Sequence, residues 1–200
     1  MTASGVQGIS LVVPTAWHVI DLVDPGARRT AVAGLIRRQA GTSPALAPLR
    51  AELRAQLGRT CARAASAGGL LMAVSLMTSG DTPIPASVTI YRVPGLRLDE
   101  EGMVALRQEG TVEEDWSVAD TGRGQVVRRV GQTRGASSLG AERIPMFAAD
   151  YWVQGGDEAV HLSFSTTMVQ IGSAMLELFD GVAASVELEA RVTAGAGVQA

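Results

Sequence analysis

Apolar and polar residues alternate along much of the chain, a pattern typical of β-strands that bury one face. Val160, Leu162 and Phe164, which alternate with polar residues, show it most clearly. A glycine-rich turn at 155–157 precedes this segment and predicts a hairpin. Taken together, these patterns predict strands over residues 9–13, 17–21, 70–77, 86–93, 116–119, 124–130, 143–154 and 158–165.

In other segments, apolar residues recur at steps of three or four, which is the helical period. Asp24 as N-cap and Pro25 at the first helical position start one helix, and Gly41 follows its end. Ser43 and Pro44 repeat the start signal. One face of this second helix should carry Leu46, Leu49, Leu53 and Leu57. We predict helices over residues 25–40, 44–66, 99–109 and from about 166 to 186.

The order of these elements is typical of an α+β protein in which helices flank one antiparallel sheet, an α/β/α sandwich. We expect a single domain over residues 1–192, with a helical segment at 25–66, and a disordered tail at 193–200. Residues 131–143 are small and polar and predict a mobile loop. Residues 186–190 fit a terminal strand or a frayed helix end.

Composition argues against several kinds of chemistry. The chain has 200 residues, of which 46% are hydrophobic, and it contains one cysteine, two histidines and no lysine. A Schiff base is therefore impossible, and a cysteine-rich or histidine-rich metal site is not expected. We predict no cofactor, no metal and no enzymatic activity. The residues at the N-terminus lack the features of a secretory signal, and no apolar run could span a membrane, so we expect a cytoplasmic protein. Export by a route that needs no N-terminal signal stays open.

Charge is distributed unevenly along the chain. Residues 28–66 hold eight arginines against Glu52 alone, a net charge of +7, whereas residues 99–120 hold eight acids against Arg107 alone, a net charge of −7. The two segments either partly neutralise each other or one of them engages a partner of opposite charge. Nucleic acid is not expected, because the net charge is −3 and few aromatic residues accompany the arginines. The candidate partner-binding arginines are Arg28, Arg29, Arg37, Arg38, Arg50, Arg54, Arg59 and Arg63.

Tyr151 and Trp152 are neighbours on a predicted strand and must face opposite sides of the sheet. One of them is expected to be exposed, which makes Trp152 a further binding candidate. His161, Ser163 and Ser165 share one strand face, which invites a hydrolase hypothesis. Residues two apart on a strand point in parallel, however, and no nucleophile-elbow motif is present, so we expect a polar strand face instead.

Both ends of the chain resemble the PsbP/Mog-like superfamily, with its actinobacterial, cytosolic members. At the start, Val13 and Pro14 precede Trp17 as in the opening strand, proline, turn and tryptophan of that family. At the end, the hairpin over 151–166 and a helix that carries residues 178–180 resemble its closing elements. The resemblance implies an antiparallel sheet between helices that serves as an accessory, adaptor or chaperone-like module. The helical segment at 25–66 departs from the smaller members.

Two functional hypotheses follow. The first is a non-enzymatic module that presents the arginine-rich helices or a sheet face to a protein partner, which genes for secretion or toxins nearby in the genome would favour. The second is a small-molecule-binding domain with an apolar cavity between sheet and helices. That cavity would be lined by Met72, Met77, Trp116, Met146, Trp152 or Met175.

Overall fold

The computed structural model of the chain describes residues 1–6, 8–108, 114–121, 124–134 and 144–188. The predicted tail at 193–200 and the predicted loop from 135 to 143 lie outside these residues. Within them, the strands are β1 (Thr2–Val6), β2 (Ile9–Val13), β3 (Trp17–Asp21), β4 (Gly69–Ser75), β5 (Thr78–Ser79), β6 (Thr82–Pro83), β7 (Ala86–Pro94), β8 (Asp115–Thr121), β9 (Gly124–Arg134), β10 (Pro145–Gly155), β11 (Glu158–Thr166) and β12 (Glu187–Leu188). The helices are α1 (Pro25–Ala40), α2 (Ala47–Ser66), α3 (Glu100–Gln108) and α4 (Gly172–Ala184), with 3₁₀ turns at Pro44–Leu46 and Val169–Ile171.

A seven-stranded antiparallel sheet in the order β3-β4-β7-β11-β10-β9-β8 forms the centre of the molecule. Strands β1, β2 and β12 form a separate antiparallel sheet, and β5 pairs with β6. Helices lie on both faces of the central sheet, so the predicted α+β sandwich is confirmed.

One sheet face packs against α4 and β2, and we call it the α4 face. Alternate residues of β7, β10 and β11 point into this layer, including Val88, Tyr151 and Phe164. Phe164 stacks on Phe179 of α4 with ring centroids 4.5 Å apart. Because the alternation predicted for 160–165 places its apolar residues here, the period of two identified the buried face correctly.

The opposite face is covered by α1, α2 and α3, and we call it the hairpin face. At one end, Ile20, Leu22 and Met72 pack against α1 and α2. At the other end, Val127 and Trp152 pack against the apolar residues of α3 and the segment before it. The middle of this face lies between the two helical layers.

The helices α1 and α2 connect two strands that are already neighbours. Strands β3 and β4 pair antiparallel, with Asp21 opposite Leu71, so a short turn could have joined them. The backbone N–H of Leu22 donates to the carbonyl of Leu70 at 3.0 Å, which closes the base of this insertion. Residues 25–66 therefore form a helical hairpin attached at the sheet edge, and we call it the basic hairpin.

Several element boundaries differ from the sequence prediction. The predicted loop at 78–85 contains the short pair β5 and β6, and residues 131–134, predicted as loop, continue β9. Strand β1 was not predicted, because Gly5 and the small residues around it carry no alternation. The last helix begins at Gly172 rather than near 166, since Thr166 still belongs to β11. For 186–190, the strand alternative is the one observed in the described part.

Candidate functional site

The basic hairpin is fixed to the sheet through its first helix. Asp24 caps α1 by accepting from the backbone N–H of Gly26 at 2.6 Å and of Ala27 at 3.2 Å, as its N-cap position predicts. Arg28 donates to the carbonyl of Leu22 at 3.0 Å. These contacts hold the start of α1 against the end of β3 and set the direction in which the hairpin leaves the sheet.

His18 provides a second link between β3 and α1. Its Nε2 donates to the carbonyl of Ala31 at 2.8 Å, and its Nδ1 accepts a hydrogen bond from Arg38. Burial lowers the pKa of His18, the bond to Ala31 opposes that shift, and the Arg38 charge adds to it, so the pKa lies below its ordinary value. His18 therefore holds the hairpin in place as a neutral imidazole.

Most arginines of the basic hairpin point into solvent. Arg28 and Arg50 are half-buried, and Arg50 donates to the carbonyl of Ser43 at 2.7 Å. In the part of the chain that the structure describes, none of the eight candidate arginines forms a salt bridge. The exposed ones are Arg29, Arg37, Arg54, Arg59 and Arg63, together with Arg38, which also donates to His18.

The acidic segment at 99–120 does not pair with the hairpin in the described residues. Asp99 approaches Arg97, and Glu114 approaches Arg129, which lies on β9. Glu109 and Glu113 lie outside the described residues. The acidic and basic segments are thus not joined by a described ion pair, which leaves the hairpin charge available to another molecule.

A row of leucines runs along α2 and becomes gradually more buried. We call Leu46, Leu49, Leu53 and Leu57 the leucine stripe; Leu46 ends the 3₁₀ turn that leads into α2, and at 100° per residue the other three share one side of the helix. Leu46 is 40% exposed and Leu49 is 44% exposed. Leu53 is half-buried, and Leu57 packs against the cluster that contains Cys61. The stripe therefore begins on the surface and ends in the core.

A groove of about 320 Å³ lies beside the buried half of this stripe. Ile36 of α1 and two stripe leucines form its apolar part. Arg59 and Arg63 form part of its wall. An apolar floor with a cationic wall suits a segment that carries both apolar and acidic side chains.

The hairpin face carries a second cluster of polar side chains, which the sequence analysis did not bring together. Nε2 of His161 donates to Oδ1 of Asp150 at 2.8 Å, and Nη2 of Arg129 donates to Oδ2 at 2.8 Å. We call these three residues the His161 network. Burial raises the pKa of Asp150, but the hydrogen bonds from His161 and Arg129 outweigh it, so the pKa lies below its ordinary value.

Aromatic rings hold this network in place. His161 stacks on Trp152 at 4.7 Å between ring centroids and on Tyr91 at 5.6 Å. The Arg129 guanidinium lies 5.5 Å from the Trp116 ring centroid and 5.3 Å from that of Trp152. The cross-strand pairs Tyr91–His161 and His161–Trp152 create this ladder.

The network orients an imidazole but does not offer it a nucleophile. Among the described residues, no hydroxyl group hydrogen-bonds to His161. Ser163 is two residues further along the same strand, roughly 6–7 Å away by backbone rise. Likewise, no three His, Cys, Asp or Glu side chains in this part of the chain group as metal ligands. The arrangement stabilises the sheet face, and the Ser–His hydrolase hypothesis gains no support from it.

Two predictions about aromatic and apolar residues are wrong. Tyr151 is 2% exposed and Trp152 is 5% exposed, because α4 covers one and α3 covers the other, so Trp152 offers no surface to a partner. The residues expected to line one cavity do not converge. Met175 belongs to the α4 face, Met72 packs under the basic hairpin, and Trp116 packs with Trp152 near α3.

Cys61, the single cysteine, is fully buried on α2, with its Sγ 3.9 Å from Sδ of Met72. Burial raises the pKa of this thiol, which suits a packing role. No helix in the described residues is both long and apolar enough to cross a membrane.

No family model matches the chain, and no curated protein matches its sequence. The solution structure of cyanobacterial PsbP (CyanoP) from Synechocystis is similar at 13% identity and a TM-score of 0.42, covering 90% of this chain and 86% of that one. The crystal structure of LpqN, involved in cell envelope biogenesis of Mycobacterium tuberculosis, is similar at 11% identity and a TM-score of 0.45, covering 94% and 90%. The first of these proteins, PsbP, carries the name of the superfamily that both ends of the sequence resemble. The similarity of this chain to the two structures concerns the fold alone.

Proposed function

We propose that this protein is a non-enzymatic accessory module of the adaptor type, and that its basic hairpin binds an acidic segment of a partner protein. The observation that carries the proposal is the set of exposed arginines, which form no salt bridge within the described residues. Arginine is well suited to carboxylates, because its planar guanidinium can donate two parallel hydrogen bonds to one carboxylate.

The position of the hairpin supports the same conclusion. It interrupts two strands that need no long connection, and it adds a charged surface to a sheet that is complete without it. The His161 network, by contrast, uses its own charges internally. A binding role at the hairpin therefore accounts for charge that the fold itself does not use. The proposal includes the cytoplasmic location predicted from the sequence, which fractionation of the native host would check.

Binding of poly-glutamate, measured by fluorescence anisotropy over a series of salt concentrations, tests the proposal. We expect binding that weakens steeply with salt. The double variant Arg59→Gln, Arg63→Gln should bind about tenfold more weakly at low salt, since two exposed charge contacts together contribute roughly 1.4 kcal/mol.

Arg107→Gln with Arg134→Gln is the matched control, because both side chains are exposed, both lie outside the hairpin, and the change in net charge is the same. An equal loss of binding in the two double variants would contradict the proposal. Tighter binding of duplex DNA than of poly-glutamate would replace it with a nucleic-acid function.

A further inference from the structure

We propose that the leucine stripe and the adjoining groove bind an amphipathic α-helix of the partner, whose leucine-like side chains enter the groove and whose acidic side chains meet the flanking arginines. This inference rests on the proposed function and adds the conformation and the apolar half of the ligand.

The graded burial of the leucine stripe is the first observation. From Leu57 onward, the same side of α2 is sealed, with Cys61 and Ala64 buried against the sheet. Towards the N-terminal end, Leu49 and Leu46 continue this side without cover in the described residues. A surface helix normally turns such a stripe towards a core. The Leu57 end of this stripe packs against the core. The Leu46 end leaves apolar side chains uncovered, as expected for a site that another molecule completes.

The placement of the arginines around the stripe is the second observation. At 100° per residue, Arg50 and Arg54 lie on one side of it, and Arg59 and Arg63 lie on the other. The flanks therefore carry positive charge on both sides, with Glu52 as the one acid of α2. A ligand that fits both features has apolar residues along its centre and carboxylates along its edges, and an amphipathic acidic helix has that pattern.

Length sets the size of the ligand. From Leu46 to Leu57 the stripe spans about 17 Å at 1.5 Å per residue, or about three helical turns. A partner helix of this length presents apolar side chains at positions i, i+3 and i+7, which match the spacing of Leu46, Leu49 and Leu53. An interface this small predicts a transient complex rather than a permanent one.

A protein helix is favoured over a membrane surface by the shape of the site. The groove is concave, because Ile36 of α1 forms one side of it and the leucines of α2 form the other. A helix that lies on lipid needs an open apolar face, usually with aromatic residues at the interface. The stripe carries no aromatic residue.

Two synthetic peptides of about 15 residues separate the inference from the proposed function. Both have the same leucine and glutamate content, but only one places its leucines at i, i+3 and i+7. Anisotropy with the wild-type chain should show the patterned peptide binding at least about tenfold more tightly, since burying one leucine contributes about that factor. Its circular dichroism should gain helical signal on binding.

The double variant Leu46→Gln, Leu49→Gln should remove this preference and leave the weaker binding of the scrambled peptide intact. Val104→Gln is the control, because Val104 is an apolar residue on α3 with 52% exposure. Both sites are surface-exposed, so neither variant is expected to unfold, and urea denaturation checks this.

The outcomes are distinct. Equal binding of both peptides to the wild-type chain overturns the helix inference while the charge-based function stands. Failure of both peptides to bind overturns the inference and the proposed function together. Binding to anionic phospholipid vesicles that is lost in Leu46→Gln, Leu49→Gln overturns the inference in favour of a lipid surface, and a shift to a dimer on sedimentation that the same variant abolishes overturns it in favour of a second copy of this chain.

Discussion

Arginines occupy two contrasting environments in this protein. On the central sheet, Arg92, Arg128 and Arg129 each form a salt bridge at 2.8 Å with a carboxylate. On the basic hairpin, the arginines extend into solvent. Pairing on the sheet links strands and helices to one another, so those charges stabilise the fold. Three hairpin arginines, Arg28, Arg38 and Arg50, donate hydrogen bonds to neighbouring groups, but within the described residues none of the eight forms a salt bridge. Sequence counts of arginine alone therefore cannot distinguish arginines that pair inside the fold from those that face solvent. The burial of each arginine and the groups bonded to it make that distinction.

The largest expected difference between the two regions comes from removing a sheet carboxylate. Asp150→Ala should lower the free energy of unfolding by about 3 kcal/mol, because it removes the buried partner of the half-buried Arg129 charge and of His161. Urea denaturation followed by tryptophan fluorescence measures this. Asp157→Ala is the control, since that carboxylate is exposed on the turn between β10 and β11. Equal losses of the free energy of unfolding in both variants would show that the His161 network stabilises the fold no more than an exposed carboxylate does.

A smaller loss is expected on the α4 face. The Tyr151 hydroxyl donates to Oδ1 of Asp180 at 2.7 Å, and Arg128 donates to both oxygens of that carboxylate. Tyr151→Phe should therefore cost about 1 kcal/mol, the usual value of one hydrogen bond, while the Arg128–Asp180 pair remains. Thermal unfolding by calorimetry measures the loss, and an unchanged midpoint would show that this bond adds nothing to the pair.

Acid should affect the sheet network through Asp150. The folded pKa of Asp150 lies below its ordinary value of 3.8, so its ionised form stabilises the fold above that pH and the stabilisation is lost as the pH falls through the folded pKa. Between about pH 5 and about pH 3, the wild-type chain should lose more free energy of unfolding than Asp150→Asn, which cannot be protonated in this way. Parallel curves for the two proteins would contradict this.

The smallest effect is expected on the hairpin. Arg59→Gln with Arg63→Gln should change the free energy of unfolding by less than about 0.5 kcal/mol, because these side chains are exposed and form no salt bridge within the described residues. Denaturation under the conditions used for Asp150→Ala gives the direct comparison. A loss near that of Asp150→Ala would mean that the hairpin arginines serve the fold after all.

The sequence identified local signals well. Asp24 and Pro25 placed the start of α1 correctly, and the helix predicted over 44–66 ends where α2 does, at Ser66. These boundaries depend on capping and on backbone freedom, which are set by a few adjacent residues. Alternation at 160–165 likewise separated the buried side from the polar side.

Contacts between distant residues were harder to predict. The hairpin turn was expected at 155–157, but Gly155 pairs with Glu158 and only two residues form the loop, with Gly156 at a φ of 69°. A one-residue error in a turn changes every cross-strand pair. With the two-residue turn, Asp150 and His161 become diagonal neighbours on β10 and β11. Gly156 was therefore the sequence signal for the His161 network, because a glycine with positive φ is typical of a two-residue hairpin turn and so sets the register.

The salt bridges that Arg92 forms with Glu158 and Arg129 forms with Asp150 depend on strand register, which residue types alone do not reveal. For the same reason, the burial of Trp152 could not be predicted from its strand alone. Leu98 and Leu106 cover it from an element that is distant in sequence.

The closed base of the basic hairpin allows the length of the hairpin to vary. Because the chain leaves and re-enters the sheet at Leu22 and Leu70, one hydrogen bond apart, whole turns of helix can be gained or lost there during evolution without shifting the pairing of β3 with β4. The residues that seal the sheet beneath it, such as Ile20 and Met72, and the His18 contacts with α1 restrain such change. The length and charge of the basic hairpin can therefore diverge on a sheet that stays the same.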